Sequence, residues 1–189
     1  YIIHEIEAPT GYILSNKSYP VSISEDGDVI EITAENKPIT VKISKRDIYG
    51  NELKGAKMQI IDSEDNVVDE WVSDGTNHVV TELPAGEYTL KEIAAPDGYV
   101  IANDIRFTVD VYGNVTVENV EATVTSENGN PLIVMVDDTT KVRISKQDVT
   151  TGKELPGTTL QIIDEDGNVV EEWVSTDETP VSYTHLRAH

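Results

Sequence analysis

The segment Val41–Asp47, V-K-I-S-K-R-D, predicts a β-strand that carries a lysine on its buried face. Side chains alternate between the two faces of a strand, so the parity that buries Val41 and Ile43 also buries Lys45. A lysine is almost never fully buried without a partner, and we therefore expect Lys45 to have one. The residues at the alternate positions should face water: Lys42, Ser44 and Arg46.

The same strand recurs later in the chain as K-V-R-I-S-K-Q-D at 141–148, where Val142, Ile144 and Lys146 share a face. Lys45 and Lys146 lie 146 − 45 = 101 residues apart. This spacing is typical of a repeated domain rather than of a solenoid. An inward lysine at the same point of two repeats indicates a specific role for it.

Further matches define how the repeats are arranged. Tyr1–Tyr12 (Y-I-I-H-E-I-E-A-P-T-G-Y) matches Tyr88–Tyr99 (Y-T-L-K-E-I-A-A-P-D-G-Y), and the stretch from Val41 to Ser73 matches that from Val142 to Ser175. The predicted organisation is the C-terminal part of a first domain (1–38), a complete domain (39–140) and the N-terminal part of a third (141–182). The final Y-T-H-L-R-A-H (183–189) does not continue the repeat, and we expect a non-native tail there.

Within the complete domain almost every segment is rich in Val, Ile, Thr and Tyr and is bounded by turn residues. No window has a helical stripe. The spacing of about seven short strands predicts an all-β fold, with β-sandwich domains of immunoglobulin-like architecture in tandem. The candidate strands are 41–46, 57–62, 67–73, 87–93, 105–111, 114–118 and 132–137.

Composition excludes several classes of partner. The net charge is −21, from 35 acidic and 14 basic residues, which argues against nucleic acid and anionic membrane surfaces. We find no apolar run of membrane-spanning length and no leader, and the chain opens inside a strand-like segment, so we expect a fragment. With no cysteine and no metal-ligand spacing of histidines, neither a metal nor a cofactor is expected.

Two carboxyl residues, Glu92 and Asp137, are predicted by strand parity to point inward, as Lys45 does. Burial favours the neutral forms of amines and acids. A neutral amine in contact with a protonated carboxyl is a nucleophile facing an electrophile, and a second carboxyl can move the protons. The product would be an amide between Lys45 and Asp137, with Glu92 as catalyst and water lost. The residues that share these faces are Tyr88 and Leu90 for Glu92, and Ile133 and Met135 for Asp137.

These motifs resemble a known family. V-K-I-S-K-R-D, E-L-K-G-A, L-P-A-G-E-Y-T-L-K-E-I-A-A-P-D-G-Y and I-V-M-V-D are similar to the Cna protein B-type (SpaA-like, prealbumin-like) domains of Gram-positive surface adhesins and pilins. They resemble in particular the isopeptide-forming domain of streptococcal fibronectin-binding protein that is used for tag and catcher ligation. The resemblance covers 39–140 and, in shortened form, 1–38 and 141–182.

The resemblance implies a role for each inward residue. Lys45 would form an isopeptide bond with Asp137, promoted by Glu92. Many family members instead use an asparagine, and Asn119 in V-T-V-E-N is the alternative acceptor; Asp137 is preferred because I-V-M-V-D matches the subtype that uses aspartate. The equivalents in the partial domains are Glu5, Asn36 and Lys146, so only the complete domain has all three partners. Asn36 should lie on the inward face of a strand together with Ile30, Ile32 and Ala34.

The expected function is therefore structural. The chain would be part of the stalk of a bacterial surface protein, extracellular and anchored to the cell wall through segments outside this sequence, with neighbouring domains of the same chain as partners. One alternative is a module that binds a host matrix protein, fibronectin or collagen; another is a sortase-assembled pilin subunit. A further alternative is enzymatic, with Glu92 and Asp137 as a paired acid and base, and requires an open cleft over Glu92.

Overall fold

The computed structural model describes residues 1–27, 29–118, 122–178 and, for the backbone alone, 181–183. The regular structure of these residues is all β, as predicted. In the described ranges no helix is long and apolar enough to cross a membrane. The chain forms two compact units: one combines Tyr1–Pro96 with Val100–Asp138, and the other combines Asp97–Tyr99 with the residues from Thr139 onward.

Two sheets form the complete domain within the first unit. Their strands, with a separate pair in segment 1–38, are β1 (Ile2–His4), β2 (Ser18–Pro20), β3 (Thr40–Asp47), β4 (Lys54–Asp62), β5 (Val67–Asp74), β6 (His78–Thr81), β7 (Gly86–Ala94), β8 (Ile105–Val109), β9 (Val115–Val117), β10 (Thr123–Glu127) and β11 (Asn130–Asp137). The four-stranded sheet has the order β10-β11-β3-β6, and the five-stranded sheet has the order β5-β4-β7-β8-β9. The separate pair is β1-β2.

The first and last strands of this domain, β3 and β11, are parallel neighbours. Their register pairs Ile133 with Ile43 and Met135 with Lys45. Inward residues of both sheets form one apolar core, which is the arrangement of a β-sandwich. Its members include Val41, Ile43, Met58, Ile60, Leu90, Phe107, Ile133 and Met135.

The predicted outward face of β3 is only partly correct. Ser44 is buried rather than exposed, and it donates a hydrogen bond to Glu52 Oε1 at 2.6 Å. Arg46 Nε donates to the same oxygen at 2.8 Å, while Lys42 pairs with Glu127 at 2.6 Å. The chain after β3 folds back against the strand and covers Ser44. The alternation of side chains along a strand does not predict such a contact.

Strands β6 and β10 were not predicted either. They bring the described strands of the complete domain to nine, two more than the sequence indicated. The predicted strand 105–111 ends at Val109, because Asp110–Asn114 forms a turn in which Asp110 accepts hydrogen bonds from the backbone amides of Tyr112 and Asn114.

The second unit contains the strand pairs β12-β15 and β13-β14. Leu160 pairs with Trp173 in β13-β14, as Met58 pairs with Trp71 in β4-β5. The repeated sequence therefore adopts the same pairing in both units. The strands are β12 (Val142–Ile144), β13 (Thr159–Ile163), β14 (Val169–Val174) and β15 (Val181–Tyr183).

Candidate functional site

The three residues singled out in the complete domain meet in its interior. Lys45 comes from β3 and Asp137 from the neighbouring β11, while Glu92 reaches them from β7 of the opposite sheet. The side chain of Lys45 is 3% exposed, and those of Glu92 and Asp137 are fully buried. The predicted inward direction of all three is thus observed.

The amine lies between the two carboxyl groups. Lys45 Nζ donates a hydrogen bond to Asp137 Oδ1 and lies 3.3 Å from Glu92 Oε2. The backbone amide of Ala102 donates to the same glutamate oxygen at 2.7 Å. Glu92 Oε1 and Asp137 Oδ2 are buried, and neither has a hydrogen-bond partner among the described residues. The arrangement brings a potential nucleophile, a potential acceptor and a potential proton carrier into contact.

Burial changes the protonation of the amine. It lowers the pKa of Lys45 from 10.5 to about 8, because the loss of hydration outweighs the attraction of the Glu92 carboxylate, which acts in the opposite direction. At neutral pH a larger fraction of this amine is unprotonated than of a lysine in water, and the unprotonated form is the nucleophile.

Two contributors to the site's surroundings were missed from the sequence. The Ala102 amide that fixes Glu92 lies between strands and has no side-chain signal. Asp47 is buried opposite Asp137 in the β3-β11 register, but its carboxylate accepts hydrogen bonds from Tyr49 N and from Asn51. These hydrogen bonds, first of all that of the Asn51 side chain, lower the pKa of Asp47. Asp47 thus caps its own turn.

The equivalents in the partial domains are placed differently. Asn36 Nδ2 donates to both carboxylate oxygens of Glu5, at 2.7 and 2.8 Å, so the predicted acceptor and catalyst of segment 1–38 are in contact. Asn36 was expected on an inward strand face, but the described residues 29–36 form no strand and Asn36 is half-buried. Its expected inward neighbours are exposed: Ile30, Ile32 and Ala34.

In the second unit Lys146 is half-buried, and its carbonyl accepts a hydrogen bond from Leu155 N, as that of Lys45 does from Leu53 N. The alternative acceptor Asn119 lies outside the described residues. In the described part of the chain, no three or more His, Asp or Glu side chains form a group that could hold a metal ion.

Comparison with known families decides the relationship of this chain. The family model described as SpaA, prealbumin-like fold domain, matches residues 1–38, 39–125 and 140–188. The chain belongs to this family. A search of curated proteins finds no match.

Solved structures to which this chain is similar include proteins of Bacillus anthracis and Lactobacillus rhamnosus GG. The Bacillus anthracis TIE protein is 26% identical over 97% of this chain and 34% of its own, with a TM-score of 0.47. A C-terminal fragment of the pilus adhesin SpaC from Lactobacillus rhamnosus GG is 19% identical over 72% of this chain and 75% of its own, with a TM-score of 0.48. The chain therefore spans about a third of the TIE protein.

Proposed function

We propose that the complete domain closes an intramolecular amide between Lys45 and Asp137, promoted by Glu92, and that the chain is part of an extracellular stalk. The observation that carries the proposal is the buried contact of Lys45 Nζ with Asp137 Oδ1, with Glu92 Oε2 at 3.3 Å from the same nitrogen. Proximity of this kind converts a slow bimolecular condensation into an intramolecular step.

The reaction balances without any co-reactant. The unprotonated amine of Lys45 attacks the carboxyl carbon of protonated Asp137, and a C–N bond forms. Glu92 accepts a proton from the nitrogen and returns it to the departing hydroxyl, which leaves as water when the C–O bond breaks. Glu92 ends in its starting state, and each domain reacts once, so the domain does not act as an enzyme on other molecules.

The strand topology supports a load-bearing role. Because β3 and β11 are parallel, the chain enters the domain at one end of the sheet and leaves at the other, as end-to-end domains require. A tension applied at the two ends would pass along β3 to Lys45, across the amide to Asp137 and onward. Residues 46–136 would carry none of it, and the domain could not be extended.

Membership of the SpaA prealbumin-like family supports placement of this stalk on the surface of a Gram-positive cell, where it would hold a pilus or adhesin tip away from the wall. Neighbouring domains of the same chain are then the primary partners. The enzymatic alternative requires a cleft over Glu92, and the full burial of that side chain is unfavourable to it.

Intact mass of the full chain tests the bond. We expect a mass one water below that of the sequence, and a branched peptide joining Lys45 to Asp137 after digestion. Lys45→Arg should restore the full mass, whereas Lys42→Arg on the same strand should not. Loss of one ammonia would move the acceptor to Asn119, and an unchanged mass would overturn the proposal.

A second experiment separates the stalk from a matrix-binding module. The chain is pulled between its ends in a force microscope and, in parallel, passed over immobilised fibronectin and collagen. A stalk should release no length from 46–136 and bind neither surface. Tight binding to either protein would favour the matrix-binding alternative.

A further inference from the structure

The loop 8–14, which contains A-P-T-G-Y, pairs with the chain segment that leads into the complete domain. Ile39 N donates to Gly11 O, and Ile13 N donates to Lys37 O, both at 2.8 Å. Between these two hydrogen bonds Tyr12 and Pro38 form an antiparallel bridge. The segment 37–39 is therefore the partner of a short strand rather than a free linker.

The repeat of this loop, 95–101 with A-P-D-G-Y, makes the same pairing with the chain that follows β11. Thr140 N donates to Gly98 O at 2.8 Å and Val100 N donates to Asp138 O at 2.9 Å. Tyr99 forms the bridge with Thr139. The separation between loop and partner differs, 39 − 11 = 28 residues against 140 − 98 = 42. Because the same hydrogen bonds form across intervening segments of different length, we infer that the loop sequence itself determines the pairing.

The first loop also contacts the body of the complete domain. Tyr12 Oη donates to Glu82 Oε1 at 2.7 Å, and Leu14 N donates to Val111 O at 2.8 Å. Gly11 is packed against the backbone: a Cβ placed there would lie 2.4 Å from Glu82 O. Gly11 has φ +82°, which suits glycine, and Glu82 itself has φ 57°.

We propose that each A-P-x-G-Y loop is a clamp on the linker to the next domain, and that the first clamp fixes segment 1–38 in one orientation on residues 39–138 of the complete domain. Domains joined by a single covalent linker move relative to one another unless an interface prevents it. Here the first loop contacts the complete domain at three separated places: Ile39 at its start, Glu82 after β6 and Val111 after β8. Contacts at three places restrict rotation about the linker, which one contact could not.

The clamp is independent of the amide proposed above, since none of its contacts involves Lys45, Glu92 or Asp137. It would give the stalk stiffness, whereas the amide would give it resistance to extension. The two proposals can therefore fail separately.

Distance measurements between spin labels test the clamp in the full chain. The sequence has no cysteine, so spin labels attach only where cysteines are introduced. We introduce two at exposed positions: Ser18→Cys in β2 and Ser63→Cys in the turn after β4. We expect a narrow distribution of distances in the parent protein. Gly11→Ala should broaden it at least twofold, because the added methyl cannot fit against Glu82. The matched control is Gly27→Ala, where φ is +95° but nothing lies within 4 Å of the new methyl.

The result expected is a broad distribution in Gly11→Ala alone. An unchanged width in Gly11→Ala, or equal broadening in Gly27→Ala, would overturn the proposal. If Gly11→Ala does not fold, the decision passes to Tyr12→Phe, which removes only the hydrogen bond to Glu82, with Tyr19→Phe as its control. Broadening in Tyr12→Phe alone supports the clamp, and equal widths in these two variants overturn it.

Discussion

Lys45 and Asp137 project into the same core from the parallel strands β3 and β11, and the amine of the first donates a hydrogen bond to the carboxylate of the second. They are 92 residues apart in sequence. A covalent bond at this contact would tie the first strand of the domain to the last and enclose nearly the whole of it. The consequences of this one contact can be measured.

Removal of the lysine should greatly destabilise the domain. By the chain-entropy account, closing a loop of roughly 100 residues stabilises by about 4–5 kcal/mol. Lys45→Ala also leaves Glu92 and Asp137 as buried carboxyls without their cation. Since about 1 kcal/mol shifts the melting temperature of a domain of this size by about 4–8 °C, calorimetry should record a fall of some tens of degrees.

Asp137→Ala should have a similar effect, because it removes the same bond. The matched control is Lys146→Ala, which changes the equivalent lysine of the repeat at 141–182, outside the complete domain. A melting temperature within a few degrees of the parent in Lys45→Ala would contradict the crosslink.

Replacement of the glutamate should separate folding from bond formation. Glu92→Gln keeps the shape of the side chain and its acceptor for the Ala102 amide, but an amide cannot take up and return a proton. Proton transfer by a positioned side chain accelerates reactions by about 10²–10⁴-fold. We therefore expect a folded domain, by circular dichroism, whose loss of water is slower by at least about 100-fold.

The control for this variant is Glu87→Gln, on the exposed face of the same strand β7. It should lose water as fast as the parent. Equal rates in Glu92→Gln and the parent would remove the glutamate from the mechanism.

The rate of bond formation should fall in alkaline solution. The reactive arrangement, an unprotonated amine beside a protonated carboxyl, contains the same number of protons as the ion pair of Lys45 with Asp137. Above the Lys45 pKa of about 8 this shared proton is lost, and the remaining carboxylate is a poor electrophile. The rate should thus be level between about pH 6 and 7.5 and then fall by up to about tenfold per pH unit.

This profile is measured on chain that has been prepared unfolded and unreacted, then diluted into buffers of different pH and followed by intact mass. Circular dichroism in each buffer is the control for folding. A rate that rises between pH 8 and 10 would mean that amine deprotonation limits the reaction and that the shared-proton account is wrong.

Parity along the strands was sufficient to predict the direction of the three candidate site residues. Lys45, Glu92 and Asp137 each follow apolar residues at period 2, so their direction was readable from local sequence alone. That they come within contact distance depends on the parallel register of β3 and β11, which no local pattern encodes. The family resemblance supplied that pairing before the structure did.

The predictions from sequence that were wrong concern residues whose structure depends on non-local contacts. Ser44 obeys the parity of an exposed residue, yet Glu52 folds back and covers it. Strand β10 (Thr123–Glu127) has few apolar residues, and its pairing with β11 defines it. The segment around Asn36 has the alternation of a strand, but no strand forms there among the described residues.

Among the described residues, four turns share one hydrogen-bond pattern, and one of the four differs at a single position. In each, an aspartate accepts hydrogen bonds from the backbone two and four residues later and from an asparagine side chain at the fourth. The third residue after the aspartate has positive φ. It is glycine in three turns and Asp65, with φ 63°, in the other. The turns are Asp47–Asn51, Asp62–Asn66, Asp110–Asn114 and Asp164–Asn168.

Asp65→Gly should therefore stabilise the complete domain. A left-handed conformation costs an L-residue about 1–2 kcal/mol, and glycine removes this cost. Glycine also makes the unfolded chain more flexible, which lowers the stability of the folded domain by about 0.5–1 kcal/mol. The net gain is about 0.5 kcal/mol, or a rise of a few degrees in melting temperature. Ser63→Gly in the same turn is the control, since Ser63 has no positive φ to relieve, and it should destabilise. A fall in stability in both variants would show that Asp65 is unstrained in its turn.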